Sequence, residues 1–141
     1  MSKQTEAELI LRLYELRRDD TMRKARDWCF RDFHPDSVDD VMRTYAGEHS
    51  AYLRMVSSYW DMAAALVNHG AISLELFSET TGEHFIIYAK LEPFLTEMRS
   101  KLGPQYLMNL EKLVKATPNG QERLRLIRER MKAVRAQAAR T

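Results

Sequence analysis

Apolar positions recur at intervals of three and four residues along nearly the whole chain, the period of helices that bury one stripe and solvate the rest. Leu9, Leu13 and Leu16 open the pattern, with Ile10 and Tyr14 widening the stripe and Arg12, Arg17 and Arg18 on the other side. That face should pack against something. Thr5 followed by Glu8 has the spacing of a capping box and predicts the start of this helix. Asp19 and Asp20 interrupt it and cap a second helix, whose apolar residues Met22, Ala25, Trp28 or Cys29, and Phe33 keep the same spacing. His34-Pro35 ends that helix, because proline disfavours a helical conformation in the residue before it. Ser37 with Asp40 caps a short third helix through Val38, Val41, Met42 and Tyr45, ending near Gly47. His49 to His69 is the longest periodic segment, carrying Tyr52, Val56 (or Met55), Tyr59, Met62 and Ala63, Leu66 and Val67; it predicts a central helix stopped by Gly70 in a left-handed cap.

Ser73 caps a short helix through Leu74, Leu76 and Phe77 that Gly82 ends. From Glu83 to Gly103 the pattern is again helical, with Pro93 inside it predicting a kink or a restart. Phe85-Ile86-Ile87-Tyr88 alone would also suit a buried strand, but no second strand is visible to pair with it. Pro104 suits a first helical position, and Tyr106, Leu107, Leu110, Leu113 and Val114 mark the helix after it. Thr117-Pro118-Asn119-Gly120 is the best candidate hinge. Beyond it Leu124, Ile127, Met131, Val134 and Ala138 step by three and four, the seam spacing of a helix that meets another helix. The expected fold is therefore all-α, a multi-helix bundle of six to eight helices, with residues 1–116 as the body and 120–141 as a basic amphipathic C-terminal helix of the same domain.

Length and composition narrow this further. A chain of 141 residues supports one core. Five glycines and four prolines are too few turn signals for an all-β sandwich or barrel. Cys29 is the single cysteine, so the chain holds no internal disulfide and no cysteine-based metal site, which fits a reducing compartment. The first residues show neither a signal peptide nor a spanning segment, and the expected location is cytoplasmic. Charge is uneven. Residues 1–120 carry 15 Lys and Arg against 18 Asp and Glu, whereas residues 121–141 carry 7 against 2. A mildly acidic body bears a cationic helix.

The succession LYELRRDDTMRKARDWCFRDF, HPDSVDDV, YWDMAAALVNHGAISLELF and TGEHFIIYAKLEPFLTEMR resembles an uncharacterised bacterial family, an all-helical domain of unknown function, over about residues 9 to 114. The resemblance implies a helical fold. Members of such a family are expected to carry an N-terminal membrane segment more often than not, which this sequence does not display. It transfers no catalytic or binding residue.

Candidate chemistry is sparse. His34, His49, His69 and His84 lie in four different segments, and neither an H-E-x-x-H helix nor a Glu-x-x-His pair is present, so no metal or other cofactor is expected. Cys29 between Trp28 and Phe30 reads as a small hydrophobe of a half-buried helix rather than a nucleophile. Asp61, beside Trp60 in the most apolar helix, is either a perturbed acid or a carboxylate paired with Arg26, Arg54 or a tyrosine hydroxyl. Met42, Met55, Met62, Met98 and Met108 fill core gaps or an adaptable groove. The expected role is non-enzymatic: a protein-interaction or self-association module. It binds a protein partner or its own copy through Leu124, Ile127, Met131 and Val134, with Arg123, Arg128, Arg130 and Arg135 at the rim. Sequence-independent nucleic-acid binding through the arginine-rich helix is the first alternative. A small-ligand or enzyme site around Asp61, Tyr59 and His49 is the second, and a membrane surface is the least expected partner.

Overall fold

The hydrophobic face of residues 50–68 organises the whole molecule in the computed structural model, which describes residues 2–140. Nine α-helices follow one another among the described residues: α1 (Lys3–Arg17), α2 (Asp20–Arg31), α3 (Val38–Ala46), α4 (Ser50–Asn68), α5 (Leu74–Thr80), α6 (His84–Leu91), α7 (Leu95–Leu102), α8 (Met108–Ala116) and α9 (Gly120–Arg140). A 3-10 turn at Glu92–Phe94 separates α6 from α7. The segment around Pro93 thus restarts rather than merely bending, because proline has no amide to continue the ladder.

Helix α4 is central. Leu53, Val56, Trp60, Ala63, Ala64 and Val67 are all buried along it, and α2, α3 and α8 pack against it. Helix α8 packs on α4, and its Leu110, Leu113 and Val114 are buried as well. Gly70 at φ 82° closes α4 in the left-handed conformation that its pattern predicts, and the Ala71 amide donates back to the Leu66 carbonyl at 2.9 Å. Each large residue fully enclosed in this core stabilises the fold by about 1.5–3 kcal/mol of transfer free energy.

The caps at Asp19, Ser37 and Ser73 form as the sequence implies, accepting from the amides of Met22, Asp40 and Leu76, each at 3.1 Å. Three local expectations are corrected. Helix α1 is capped by Ser2, whose Oγ accepts from the Thr5 amide at 3.1 Å, so Thr5 sits inside the first turn. Pro104 does not open α8: the chain turns first, Leu107 takes φ 53°, and the helix starts at Met108. The segment 117–120 is a packed turn, not a hinge. Thr117 and Gly120 are buried, Asn119 takes φ 60°, and a Cβ on Gly120 would stand 2.4 Å from the Val114 carbonyl oxygen. Helix α9 is thereby joined firmly to the body proposed for residues 1–116; the terminal residues 1 and 141 of the two ranges lie outside the described residues.

The apolar stripe of α1 packs in part. Leu13 is buried and Leu9 and Ile10 are half-buried against the core, whereas Leu16 and Tyr14 are exposed. Polar bonds add to this packing: the Tyr59 hydroxyl donates to the Leu13 carbonyl at 2.5 Å, Arg26 to the Arg17 carbonyl at 3.2 Å, and the Ser73 amide to Glu6 at 2.5 Å.

Candidate functional site

Helix α9 crosses from the packed turn over α6 and α8, and the fate of its seam changes along its length. Leu124 is fully enclosed by its own chain (0 % exposed). Ile127 and Met131 are half-buried against the core. Val134 is 62 % exposed. The seam spacing therefore serves an internal contact in its first half and faces solvent in its second. Beside it lies a mostly apolar groove of about 390 Å³ between Gly82, Ile86, Leu126, Ile127 and Met131, flanked by Arg123 and Arg130. Leu126 falls off the three-four seam, so the spacing gave no reason to select it; it is 46 % exposed at the edge of the groove.

The arginines divide in the same way. Arg123 lies over the Phe85 ring at 4.1 Å from its centroid, a cation–π contact that fixes the first turns of α9 on α6. Arg128 donates to the Ala89 carbonyl at 3.4 Å and pairs with Glu92, at the point where Pro93 breaks the preceding helix. Arg125 is held by Glu122 and Glu129 on the solvent side, and hydrogen bonding from Arg125 lowers the pKa of Glu122. Among the described residues, Arg130, Lys132, Arg135 and Arg140 make no ion pair with a side chain. Of the predicted rim residues, Arg123 and Arg128 thus join the internal contact, while Arg130 and Arg135 stay on the exposed half.

The alternative centre is not assembled. Asp61 caps α8, its Oδ1 accepting from the Leu110 amide at 2.9 Å and its Oδ2 from the Asn109 side chain at 3.2 Å. It meets neither Arg26 nor Arg54. Tyr59 turns toward α1, as its bond to Leu13 shows, and burial pushes its hydroxyl up to about 12. His49 stacks on Trp28, ring centroids 4.8 Å apart. The three side chains serve three separate contacts.

The histidines are equally dispersed, and no group of three or more His, Cys, Asp or Glu side chains among the described residues is placed to hold a metal ion. Cys29 is fully buried, and burial pushes its thiol up to about 12, which removes thiolate at neutral pH. No helix of the described residues is long and apolar enough to cross a membrane.

Sequence reasoning missed a part-buried ion cluster and a buried lysine, because periodicity carries no signal for partners far apart in the chain. Glu83 takes a two-pronged bond from Arg26, with Nε and one terminal nitrogen both at 2.9 Å, and a longer one from Arg17 at 3.4 Å. Among the described residues Lys90 is buried without a carboxylate partner, and it donates to backbone carbonyls at the end of α2.

The architecture defines an all-helical bundle around one central helix, carrying no metal-binding cluster among the described residues. Residues 4–117 match the family described as a domain of unknown function, DUF4760, and the chain belongs to that family. The match covers α1 to α8 and stops before α9. No curated protein matches the chain, and no solved structure does.

Proposed function

We propose that this protein is a non-enzymatic helical interaction module that binds a partner along the exposed half of α9. The proposal rests on the division of one ridge: Leu124 is enclosed at 0 % exposure, whereas Val134, ten residues on, is open at 62 %. A ridge serving internal packing alone would not continue its spacing beyond the body. Charge selects the occupant. Arg130, Lys132 and Arg135 surround the exposed apolar positions, so side-by-side pairing of two copies of α9 sets like charges together, while an acidic amphipathic helix of another protein meets them with opposite charge. Binding would bury Leu126, Met131 and Val134, with ordering and association costs set against the transfer gain.

The test uses the full chain and its Val134→Asp variant, since Val134 is outside the core and its change leaves the fold intact. A synthetic amphipathic helix with glutamates flanking a leucine stripe is titrated at low and moderate salt, and light scattering over a concentration series reports self-association. The proposal expects peptide binding that weakens with salt and is lost in the variant. Self-association that strengthens with salt and is lost in the variant would replace the acidic partner by a second copy. A monomer that ignores the peptide at every salt concentration overturns the reading.

Nucleic acid is the second reading, supported by Arg130, Lys132, Arg135 and Arg140 of α9, which make no side-chain ion pair among the described residues. It is weakened because Arg123, Arg125 and Arg128 are occupied within the chain. Duplex DNA and RNA in the same titration decide it, and absence of binding at low salt removes it.

A further inference from the structure

Helix α1 stands over a cleft of about 310 Å³ whose walls come from α1, α4 and α5, with Ile10, Tyr14, Arg17, Trp60 and Phe77 among the lining residues. The walls are overwhelmingly apolar and aromatic. Two features of the polar groups there are unusual.

The first is Arg17. Its side chain is only 16 % exposed, and its guanidinium lies 5.4 Å from the Trp60 ring centroid and 5.2 Å from that of Tyr14. Its carboxylate contact is a long one, 3.4 Å to Glu83, and Glu83 already receives both close bonds from Arg26. A guanidinium has five N–H donors. Arg17 uses one of them on a side chain, weakly, so it is a largely buried cation whose counter-charge is shared with a better-placed neighbour.

The second is Trp60, 2 % exposed, whose indole Nε1 has no acceptor among the described residues. Buried indole N–H groups ordinarily find a partner. The Tyr59 hydroxyl is not in the same position, because the Leu13 carbonyl takes it up. A cation with spare donors therefore borders one apolar cleft whose wall includes the Trp60 ring, while the unmatched indole N–H is itself closed to solvent.

We propose that this cleft binds a small monocarboxylate with an apolar body, a single ring or a short acyl chain. Arg17 takes the carboxylate, and the body lies against Ile10, Tyr14, Trp60 and Phe77. The volume is at the lower end for ligand sites, which sets the size of the body and leaves out nucleotides and long lipids. Access is along the edge of α1, where the lining residues Tyr14 and Leu11 are exposed. This inference is independent of the partner surface on α9 and lies wholly within the segment shared with the family.

The test is calorimetry, with tryptophan fluorescence as a second readout, on the full chain titrated with phenylacetate and with octanoate, each against its neutral amide. The acids bind and the amides bind about tenfold more weakly, the difference expected for losing one charge-assisted contact. Arg17→Gln abolishes the preference for acid over amide while retaining the amide affinity. Because Arg17 also touches Glu83, urea unfolding of this variant checks that it folds. The acid–amide comparison on the unaltered chain needs no variant. Equal binding of acid and amide, no binding of either acid, or an Arg17→Gln variant that folds and keeps the preference overturns the proposal.

Discussion

The Lys90 ammonium donates to the Phe33 carbonyl at 2.8 Å, and the same nitrogen reaches the carbonyls of Cys29 at 2.5 Å and Phe30 at 3.2 Å. The last carbonyls of a helix have no intrahelical donor and carry the negative end of its dipole. Lys90, on α6, therefore closes the C-terminus of α2 from a distance of about 60 positions in sequence. Lys90→Met leaves these acceptors unpaired in a buried site, and urea unfolding should show a loss of about 2–3 kcal/mol.

The same contact sets a pH dependence. Burial lowers the pKa of Lys90 from 10.5 to about 8. Between those values the unfolded chain holds a proton that the folded chain has released, so this group adds stability as pH rises through the window, and its desolvation cost is present in full below pH 8. Cys29 acts in the opposite direction above pH 9, where only the unfolded thiol ionises. Comparison with Lys90→Met, which retains Cys29, isolates the lysine: the stability gap between the two proteins should widen in favour of the unaltered chain from pH 8 to pH 10. A constant gap would contradict it.

His84 gives the acid-side counterpart. It is buried among Trp60, Phe77 and Phe85, and burial, aided by the charge of Arg123, pushes it down to about 3. From pH 6.5 down to about 3 the unfolded chain takes up a proton that the folded chain refuses. The stability this neutral ring confers is complete above 6.5 and is lost as pH falls through that interval, at a slope of up to about 1.4 kcal/mol per pH unit. Urea midpoints at pH 7 and pH 4.5 should move less in His84→Phe than in the unaltered chain.

Much of the fold was legible because local chemistry writes it. Ser37 and Ser73 cap where their spacing implies, Gly70 takes a positive φ, and Pro93 breaks its helix. Long-range polar pairing was not legible. Nothing in the period of α2 or α6 says that Lys90 will find Phe33, or that Glu83 will choose Arg26 over the nearer Lys90. The α9 seam was expected to meet a partner, yet spacing cannot say whose surface it meets: Leu124 is enclosed by its own chain, Ile127 and Met131 are half-buried against the core, and Val134 is exposed. The α1 stripe was legible in part: Leu9, Ile10 and Leu13 meet the core while Leu16 and Tyr14 face solvent, because a periodic apolar face records what a helix is able to bury and not how much of it the neighbouring helices cover.

The turn before α9 yields a sharper expectation than the hinge it first suggested. A methyl group on Gly120 meets the Val114 carbonyl oxygen at 2.4 Å, and that neighbour is backbone that cannot rotate away. Gly120→Ala should cost about 1–3 kcal/mol through overpacking. The strain falls on the junction, so limited proteolysis should cut between residues 117 and 124 faster in the variant. Unchanged cleavage would mean that the turn yields freely.

Asp61 illustrates how a residue that invites a chemical role can have a structural one. A carboxylate within an apolar helix suggests a perturbed acid, but its oxygens meet the first turn of α8, where orphan amides and the positive end of the helix dipole favour an anion. Asp61→Ala should destabilise the protein by about 1–2 kcal/mol and speed hydrogen exchange at the Leu110 amide. Asp61→Asn keeps an oxygen acceptor for that amide and loses only the charge, so it should recover at least half of the stability. If the asparagine variant is as unstable as the alanine one, the interaction with the dipole outweighs the hydrogen bond, and Asp61 acts on α8 chiefly as a charge.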